Sequence, residues 1–456
     1  MYTYQDLLEV SERETERIEF ARKAVNLHKQ SDIYKTAVIA DKYDRQQNAT
    51  IMEYRKLLYT VTGEAVPDNY SANYKTASGF FNRFVTQQNQ YLLGNGVSWN
   101  DESTADKLGE DFNARLQEIG KMALVSGVAF GFFNYDHMDV FDVKEFVPLY
   151  DEENGALMAG IRFWQVADDK PLRATLYEED GYTDYIWNRK SADKIDGMVL
   201  HDKRSYTEVI KQSDVDGTEI YDGENYPTFP IVPLWGNPHH QSEILGIRSE
   251  IDAYDLIKSG FANDIDDASQ IYWTIQNAGG MDDVDLAKFI ERMKTVKASV
   301  MDDDGARAEA HTLDVPYNAR EAILDRLEKD LYKDYMALNT EAIAGGAITA
   351  TQIKAAYEPL NVKTDQYEYC VIDFIQGILA IAGIEDKPTC TRSKIVNVQE
   401  EVQTVIASAE FVDSDYVTRK ILTLFGDNDL ADEMLQKMEN DEFSRMASYS
   451  YEEESE

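Results

Sequence analysis

Two long helical seams, set apart by a stretch of strand-like texture, constrain this chain more than any other feature. Ile244, Ile247, Ile251, Tyr254, Ile257, Phe261 and Ile265 recur in steps of three and four, and Ile323, Leu327, Leu331 and Tyr335 in steps of four. That spacing predicts amphipathic helices over 244–267 and 317–338, each with an apolar stripe that must be covered. The first would be a rod about 36 Å long. Between them, 268–316 reads as a small β-α-β-β insert: QIYWTIQN (270–277), the helix VDLAKFIERMKT (284–295), VKASVM (296–301), a turn at Asp304-Gly305, and AEAHTL (308–313). The second helix runs into EAIAGGAITAT (Glu341 to Thr351), where Glu341 is the one ionisable side chain and Gly345-Gly346 sit among small or β-branched residues. A further helix is expected from about Thr351 towards Gly383, kinked at Pro359.

The remainder completes an α+β pattern that is mainly helical. Residues 1 to about 60 read as helix. Ser71–Val97 reads as a second helix stopped by Gly94 and Gly96, and a third runs from about Thr104 to Ser126. From Val128 to Pro233 the period falls to two, with turns at Asn154-Gly155 and Asp216-Gly217. Residues 396–440 look helical. The tail 441–456 carries six acids against Arg445 alone and is expected to be disordered.

Charge excludes whole classes of function. The chain has 456 residues with 45 basic and 84 acidic side chains, a net charge of −39. Non-specific DNA binding rests on Lys and Arg neutralising phosphates, so the surface as a whole is unsuited to it, and equally to anionic lipid. Cys370 and Cys390 are the only cysteines, which argues against a disulfide framework and fits a reducing compartment. The longest apolar run, ALVSGVAFGFF (Ala123 to Phe133), is well short of the roughly 20 residues needed to span a bilayer.

Motifs for chemistry are missing. No phosphate loop, GxGxxG, HExxH or GxSxG occurs, and the six histidines (His28, His137, His201, His239, His240, His311) are scattered. The His239-His240 pair reads as a surface turn. SDVDGTE (Ser213 to Glu219) has calcium-loop flavour, but the twelve-residue spacing puts Gln212 first and Gly223 last, where acids are required, so a hairpin turn fits better. DDVD (282–285) reads as a helix N-cap and DDDG (302–305) as a turn.

Several phrases in fixed order resemble the portal proteins of tailed double-stranded-DNA phages, in the branch common among siphophages of Gram-positive hosts. They are GFFNRFVTQQNQYLLGNGV (79–97), ALVSGVAFGFF (123–133), IRFWQ (161–165), FPIVPLWGN (229–237), IDAYDLIKSGFANDIDD (251–267) and VPYNAREAILDRLEKDLY (315–332). The last sixty residues carry no such likeness. The resemblance implies a portal fold with a wing over 1–243, stem helices over 244–267 and 317–338, and a clip over 268–316. It further implies a tunnel loop over 339–352, a kinked wing helix over 353–395, a helical crown over 396–440 and the acidic tail. Ile247, Ile251, Tyr254, Phe261, Ile323, Leu327 and Leu331 would form the stem seam. Thr340, Glu341, Ala342, Ile343, Ala344, Gly345, Gly346, Ala347, Ile348 and Thr349 would narrow the tunnel.

Such proteins form rings, usually of twelve, at one capsid vertex of the virion, assembled in the host cytoplasm. The implied partners are further copies of the chain, duplex DNA passing without sequence recognition, the terminase large subunit, a head–tail adaptor, and the major capsid or scaffold protein. No catalytic residue, metal, cofactor or membrane is implied. Two properties of the residues agree with a conduit. An acidic wall repels phosphates, so no step along it is a deep well. Copies of 340–349 converging on an axis leave no room for bulky side chains, and Gly345-Gly346 opens backbone conformations closed to other residues. A monomeric acidic hydrolase using a carboxylate pair, or an acidic scaffold without DNA, are the rivals that sequence leaves open.

Overall fold

Two of the N-terminal helices begin where short polar side chains accept the first free amides. In the computed structural model, Thr3 and Asp6 form a capping box at α1 (Tyr4–Glu9), and Ser31 caps α3 (Asp32–Asp44) at Tyr34 N–H. Between them lies α2 (Glu14–His28), and α4 (Ala49–Glu53) follows. The structure describes residues 2–10, 13–59, 63–68, 73–101, 103–191, 194–212, 219–268, 272–276, 284, 287–288, 291, 307–311, 317–342, 350–393, 402, 405–408, 411–425, 430 and 434–437.

A ribbon of β1 (Leu57–Tyr59) and β2 (Ala65–Pro67) precedes α5 (Phe80–Leu93), β3 (Val97–Ser98), α6 (Ser103–Leu108) and α7 (Phe112–Ser126). Two expectations are corrected here. The helix expected from Ser71 starts only at Phe80, because the described residues before it are held extended by side chains of a later helix. The helix expected over Thr104–Ser126 is two, broken at Gly109 (φ +95), where a Cβ would lie 2.3 Å from the Asp136 carbonyl oxygen. Gly127 (φ +93) then turns α7 directly into a strand, its N–H bonded to the Ala123 carbonyl at 2.8 Å.

The β-rich part is an antiparallel meander: β4 (Val128–Asn134), β5 (His137–Asp142), β6 (Phe146–Tyr150), β7 (Leu157–Trp164), β8 (Leu172–Glu178), β9 (Gly181–Ser191) and β10 (Lys194–Arg204). A hairpin of β11 (Thr207–Gln212) and β12 (Glu219–Glu224) follows, then β13 (Ile231–Trp235). The five-stranded sheet is ordered β10-β9-β8-β7-β6, and a three-stranded sheet β13-β4-β5. The turn at Asn154-Gly155 is present, with Gly155 at φ +71. The turn at Asp216-Gly217 lies outside the described residues. Strand β10 falls within the expected period-two stretch although KIDGMVLHDKR alternates poorly, and at Gly197 a Cβ would lie 2.6 Å from Ile18 and 2.7 Å from Trp187. Helix α2 covers this sheet through Ile18, Ala21, Ala24 and Val25 against Ile161, Leu176, Tyr185 and Trp187.

The long elements come last: α8 (Ile244–Ala268), the ribbon of β14 (Tyr272–Gln276) and β15 (Arg307–His311), α9 (Tyr317–Tyr335), a 3₁₀ turn (Thr340–Ala342), α10 (Ala350–Ala382), β16 (Thr389–Cys390) paired with β3, and α11 (Ser414–Phe425). Helix α8 forms where periodicity puts it, α9 stops at Tyr335, three residues short of the expected end, and the insert's outer strands pair antiparallel. Its helix 284–295 lies outside the described residues except at four positions, and VKASVM lies outside them entirely. So do residues 343–349 and the tail 441–456. Helix α10 starts at Ala350, three residues inside the expected loop. It passes Pro359 without a break in helical assignment.

Contacts divide the chain into two units, 1–337 with 363–391, and 338–362 with 392–456. In the first, α5, α7 and the 363–382 part of α10 share a core with the ends of α8 and α9, through Phe81, Phe84, Leu92, Ile119, Ile251, Leu331, Tyr367 and Phe374. In the second, α11 carries exposed Tyr416, and Arg392 Nη1 donates to Asn361 Oδ1 at 3.3 Å.

Candidate functional site

Helices α8 and α9 pack against each other in antiparallel register. Arg320 pairs with Asp264, the Phe261 and Tyr317 rings meet edge-on at 5.6 Å, and Glu250 faces Asp334 further along. Of the seam residues expected from sequence, Ile247, Ile251 and Leu331 are buried. Tyr254 and Phe261 are half-buried, Tyr254 against Phe80 at 5.0 Å, and Leu327 is half-buried too. Ile323 is not in the seam: it is 48% exposed. The fourfold pattern drifts around a helix of 3.6 residues per turn, so a stripe written in steps of four leaves the buried face at one end.

The C-terminal end of α9 is locked by α5. Tyr335 is buried, its ring stacked on Phe84 at 4.9 Å and its hydroxyl donating to Gln88 Oε1 at 2.7 Å. Lys363 on α10 donates to Glu243 at 2.6 Å and lies 4.0 Å over the Tyr335 ring. Removing one partner of so enclosed a pair would strand the other charge, at a cost of about 3 kcal/mol or more.

The opposite face of α8 carries a feature that apolar periodicity did not find. Asp255, Ser259 and Asn263 are buried, at four-residue spacing. Asn263 Oδ1 accepts from Tyr74 N–H at 2.7 Å, Ser259 Oγ from Thr76 N–H at 3.0 Å, and Asp255 Oδ1 from Ser78 N–H at 2.9 Å. A helix advances about 6 Å in four residues and an extended chain about 6.6 Å in two, so one polar row on a helix can hold alternate amides of an extended strap. Asp255 also accepts from Asn48, and Asp252 from Tyr43 and from Thr50 at 2.8 Å. Burial raises the Asp255 pKa, partly opposed by the bonds from Asn48 and Ser78. The signal was present in IDAYDLIKSGFAND as polar residues in steps of four, but such a row on a long helix reads first as solvated.

Between the two helices, Glu250 is also perturbed. Burial first, then hydrogen bonding to Asp334 and the charges of Asp334 and Asp330, push its carboxyl up to about 7. Among the described residues, no group of His, Cys, Asp and Glu is arranged to hold a metal ion, and no helix is long and apolar enough to cross a membrane. His239 and His240 are exposed in the turn before α8, with His240 stacked on Trp235 at 3.9 Å. In the small-residue segment, Thr340–Ala342 forms a 3₁₀ turn with Glu341 N–H on Asn339 Oδ1 at 3.0 Å. Ile343, Ala344, Gly345, Gly346, Ala347, Ile348 and Thr349 lie outside the described residues.

The family described as "Phage portal protein, SPP1 Gp6-like" matches residues 13–443, and the chain belongs to that family. It is 24% identical over 346 residues to the portal protein of Clostridium phage phiCD119, spanning 70% of this chain and 73% of that one. It is 23% identical over 389 residues to the portal protein of Bacillus phage SPP1, spanning 78% and 74%. Among solved structures it is similar to the neck of an empty gene transfer agent particle (11% identity, TM-score 0.44, 76% of this chain and 90% of that one). It is also similar to the neck of the native particle with C12 symmetry (10%, TM-score 0.41, 75% and 89%).

Proposed function

We propose that copies of this chain close into a ring, of about twelve subunits as the resemblance implies, that conducts duplex DNA into and out of a phage capsid at one vertex. The observation that carries the reading is the α8–α9 pair. It brackets the β14–β15 ribbon and is followed, five residues after α9, by a segment almost free of charge. In this reading α8 and α9 are the stem, 268–316 the clip, 340–349 the tunnel constriction and residues after about 396 the crown. Pro359 bends α10 by removing one backbone hydrogen bond. The protein is a non-enzymatic conduit. Nucleotide hydrolysis then belongs to a separate terminase large subunit docked on the clip, followed there by a head–tail adaptor, while the wing meets the major capsid or scaffold protein.

Two measurements test this. Size-exclusion with light scattering should show a ring many times the 52.0 kDa chain. A species that stays monomeric even with capsid components removes the proposal. Replacing Gly345 and Gly346 with leucine should leave ring formation intact and block DNA passage. Normal filling and ejection would remove the constriction from the loop.

A further inference from the structure

The α8–α9 pair has two large faces, and an apolar feature is exposed on each. Glu250, Phe261 and Asp264 mark the side of α8 that meets α9, and Tyr317, Arg320 and Asp334 the side of α9 that meets α8. At about 100° per residue, Ile265 and Ala262 lie on average about 95° from the first centre in the direction of winding, whereas Ile323 lies about 65° from the second centre against it. In an antiparallel pair, offsets with the winding on either helix fall on the same face. Tyr254 and Tyr332 are both offset that way, and both meet the Phe80 ring, at 5.0 and 6.4 Å. Ile323 and the Ala262–Ile265 side of α8 therefore look out from opposite faces. On the Phe80 face, the 74–78 strap passes α8 and leaves a shallow groove of about 540 Å³ lined by Tyr74, Thr76, Ala262, Ile265 and Asp266. Tyr74 and Ile265 are 56% and 45% exposed there. On the other face Ile323 is 48% exposed, and Gly260 lies in open space, where a Cβ would meet nothing within 4 Å. Arg320 pairs with Asp264, so Ile323 stands level with Gly260 and Phe261, about 5 Å along the axis from the middle of the groove.

We propose that a second copy of this chain seats its Ile323 in this groove, so that the strap and α8 of one subunit form a socket for α9 of the next. The inference rests on the ring reading above. A knob and a socket on opposite faces make a heterologous contact, which repeats from copy to copy and closes where the rotation allows; the same features on one face would pair two copies and stop. A neighbour with the same net charge of −39 is repelled at long range, so the contact that holds it is short-range and apolar. The open space at Gly260 lets it come close. The socket also gives the polar row of α8 a purpose. Asn263 fixes Tyr74 N–H at 2.7 Å and Ser259 fixes Thr76 N–H at 3.0 Å, so the strap wall is set before a neighbour arrives and association does not bear the cost of ordering it.

The test is disulfide trapping in assembled rings of the full chain carrying Ile265→Cys and Ile323→Cys together. Each single variant, the pair Val166→Cys with Ile323→Cys, and the unsubstituted chain are controls, Val166 being 84% exposed on a sheet turn. After oxidation, a denaturing gel without reductant should show a ladder of linked subunits up to the full ring for the 265/323 pair alone. Monomers only, dimers as the end product, or an equal ladder from the 166/323 pair overturns the proposal. In parallel, Ile323→Asp puts a carboxylate into the socket and should weaken ring association about tenfold or more, with the melting temperature of the single chain unchanged. Ala262→Trp, which fills the groove from the other side, should do the same, and Ile323→Leu should form rings as the wild type does. Wild-type ring yield in both Ile323→Asp and Ala262→Trp overturns the proposal. If the wild-type chain forms no ring at all, it is the portal reading that fails; rings without the 265/323 ladder sink the socket alone.

Discussion

Met336 is the residue whose backbone is most instructive. It sits just past α9 at φ +64, with its N–H on the Lys333 carbonyl at 3.0 Å and Ala337 N–H on Tyr332 at 2.9 Å. That is the Schellman arrangement, in which the left-handed position suits glycine. Helix α10 ends the same way with glycine in place: Gly383 is at φ +67, its N–H on Ala380 at 3.3 Å and Ile384 N–H on Leu379 at 2.9 Å. A methionine there forces Cβ against its own carbonyl, at a cost of about 1 kcal/mol. Met336→Gly is therefore expected to raise stability by about 0.5–1 kcal/mol, less the added freedom of the unfolded chain. Denaturant midpoints of the two proteins at equal slope would show it; a lower midpoint for the glycine variant would mean that the methionine side chain holds more than its backbone costs.

At the scale of elements, the strap on α8 and the carboxyls between α8 and α9 give separate predictions. Ser259→Ala leaves the half-buried Thr76 N–H without its acceptor, which costs about 1 kcal/mol. Hydrogen exchange should accelerate at Thr76 and its neighbours while the interior of α5 is unchanged; uniform acceleration would mean the strap and α5 open together. For Glu250, the folded pKa of about 7 lies above the ordinary 4.5, so the folded state binds the extra proton between those values. Its contribution to stability is full below pH 4.5 and is lost as pH rises through about 7. Glu250→Gln removes the titration, so the wild type should lose ground to the variant across that window and run parallel to it above. A constant difference at every pH would place the perturbed proton elsewhere. These elements also mark what sequence could reveal. Helices α8 and α9 were legible because a 3.6-residue apolar period is a local signal, and the strands from Val128 because their period of two is also local. The late start of α5 was not, because NYKTAS (73–78) has no intrinsic bar to helix and is held extended by residues almost two hundred positions away. Gly197 in β10 is likewise not legible locally, since it makes sense only once Ile18 and Trp187 are known to press on it. The exposed side of Ile323 shows the limit of counting in fours along a helix.

For the whole molecule, the decisive quantity is charge, and it sets how a ring of such chains must respond to salt. Each subunit brings −39 to the assembly, and the flanks of α9 and much of the remaining surface are acidic. Neighbours in a ring therefore repel over the Debye length, about 30 Å at 0.01 M ionic strength and about 3 Å at 1 M. The intrachain ion pairs on α9 and α8 are mostly exposed and individually weak, about 1 kcal/mol at most. Apolar contacts are not weakened by screening, and the exposed Ile323 and Ile265 are suited to closing a ring of such chains. The fraction of chains in rings should rise as salt is added from 0.01 M towards 1 M, measured by light scattering at fixed protein concentration. A ring that dissociates with added salt would show that intersubunit ion pairs outweigh the net repulsion.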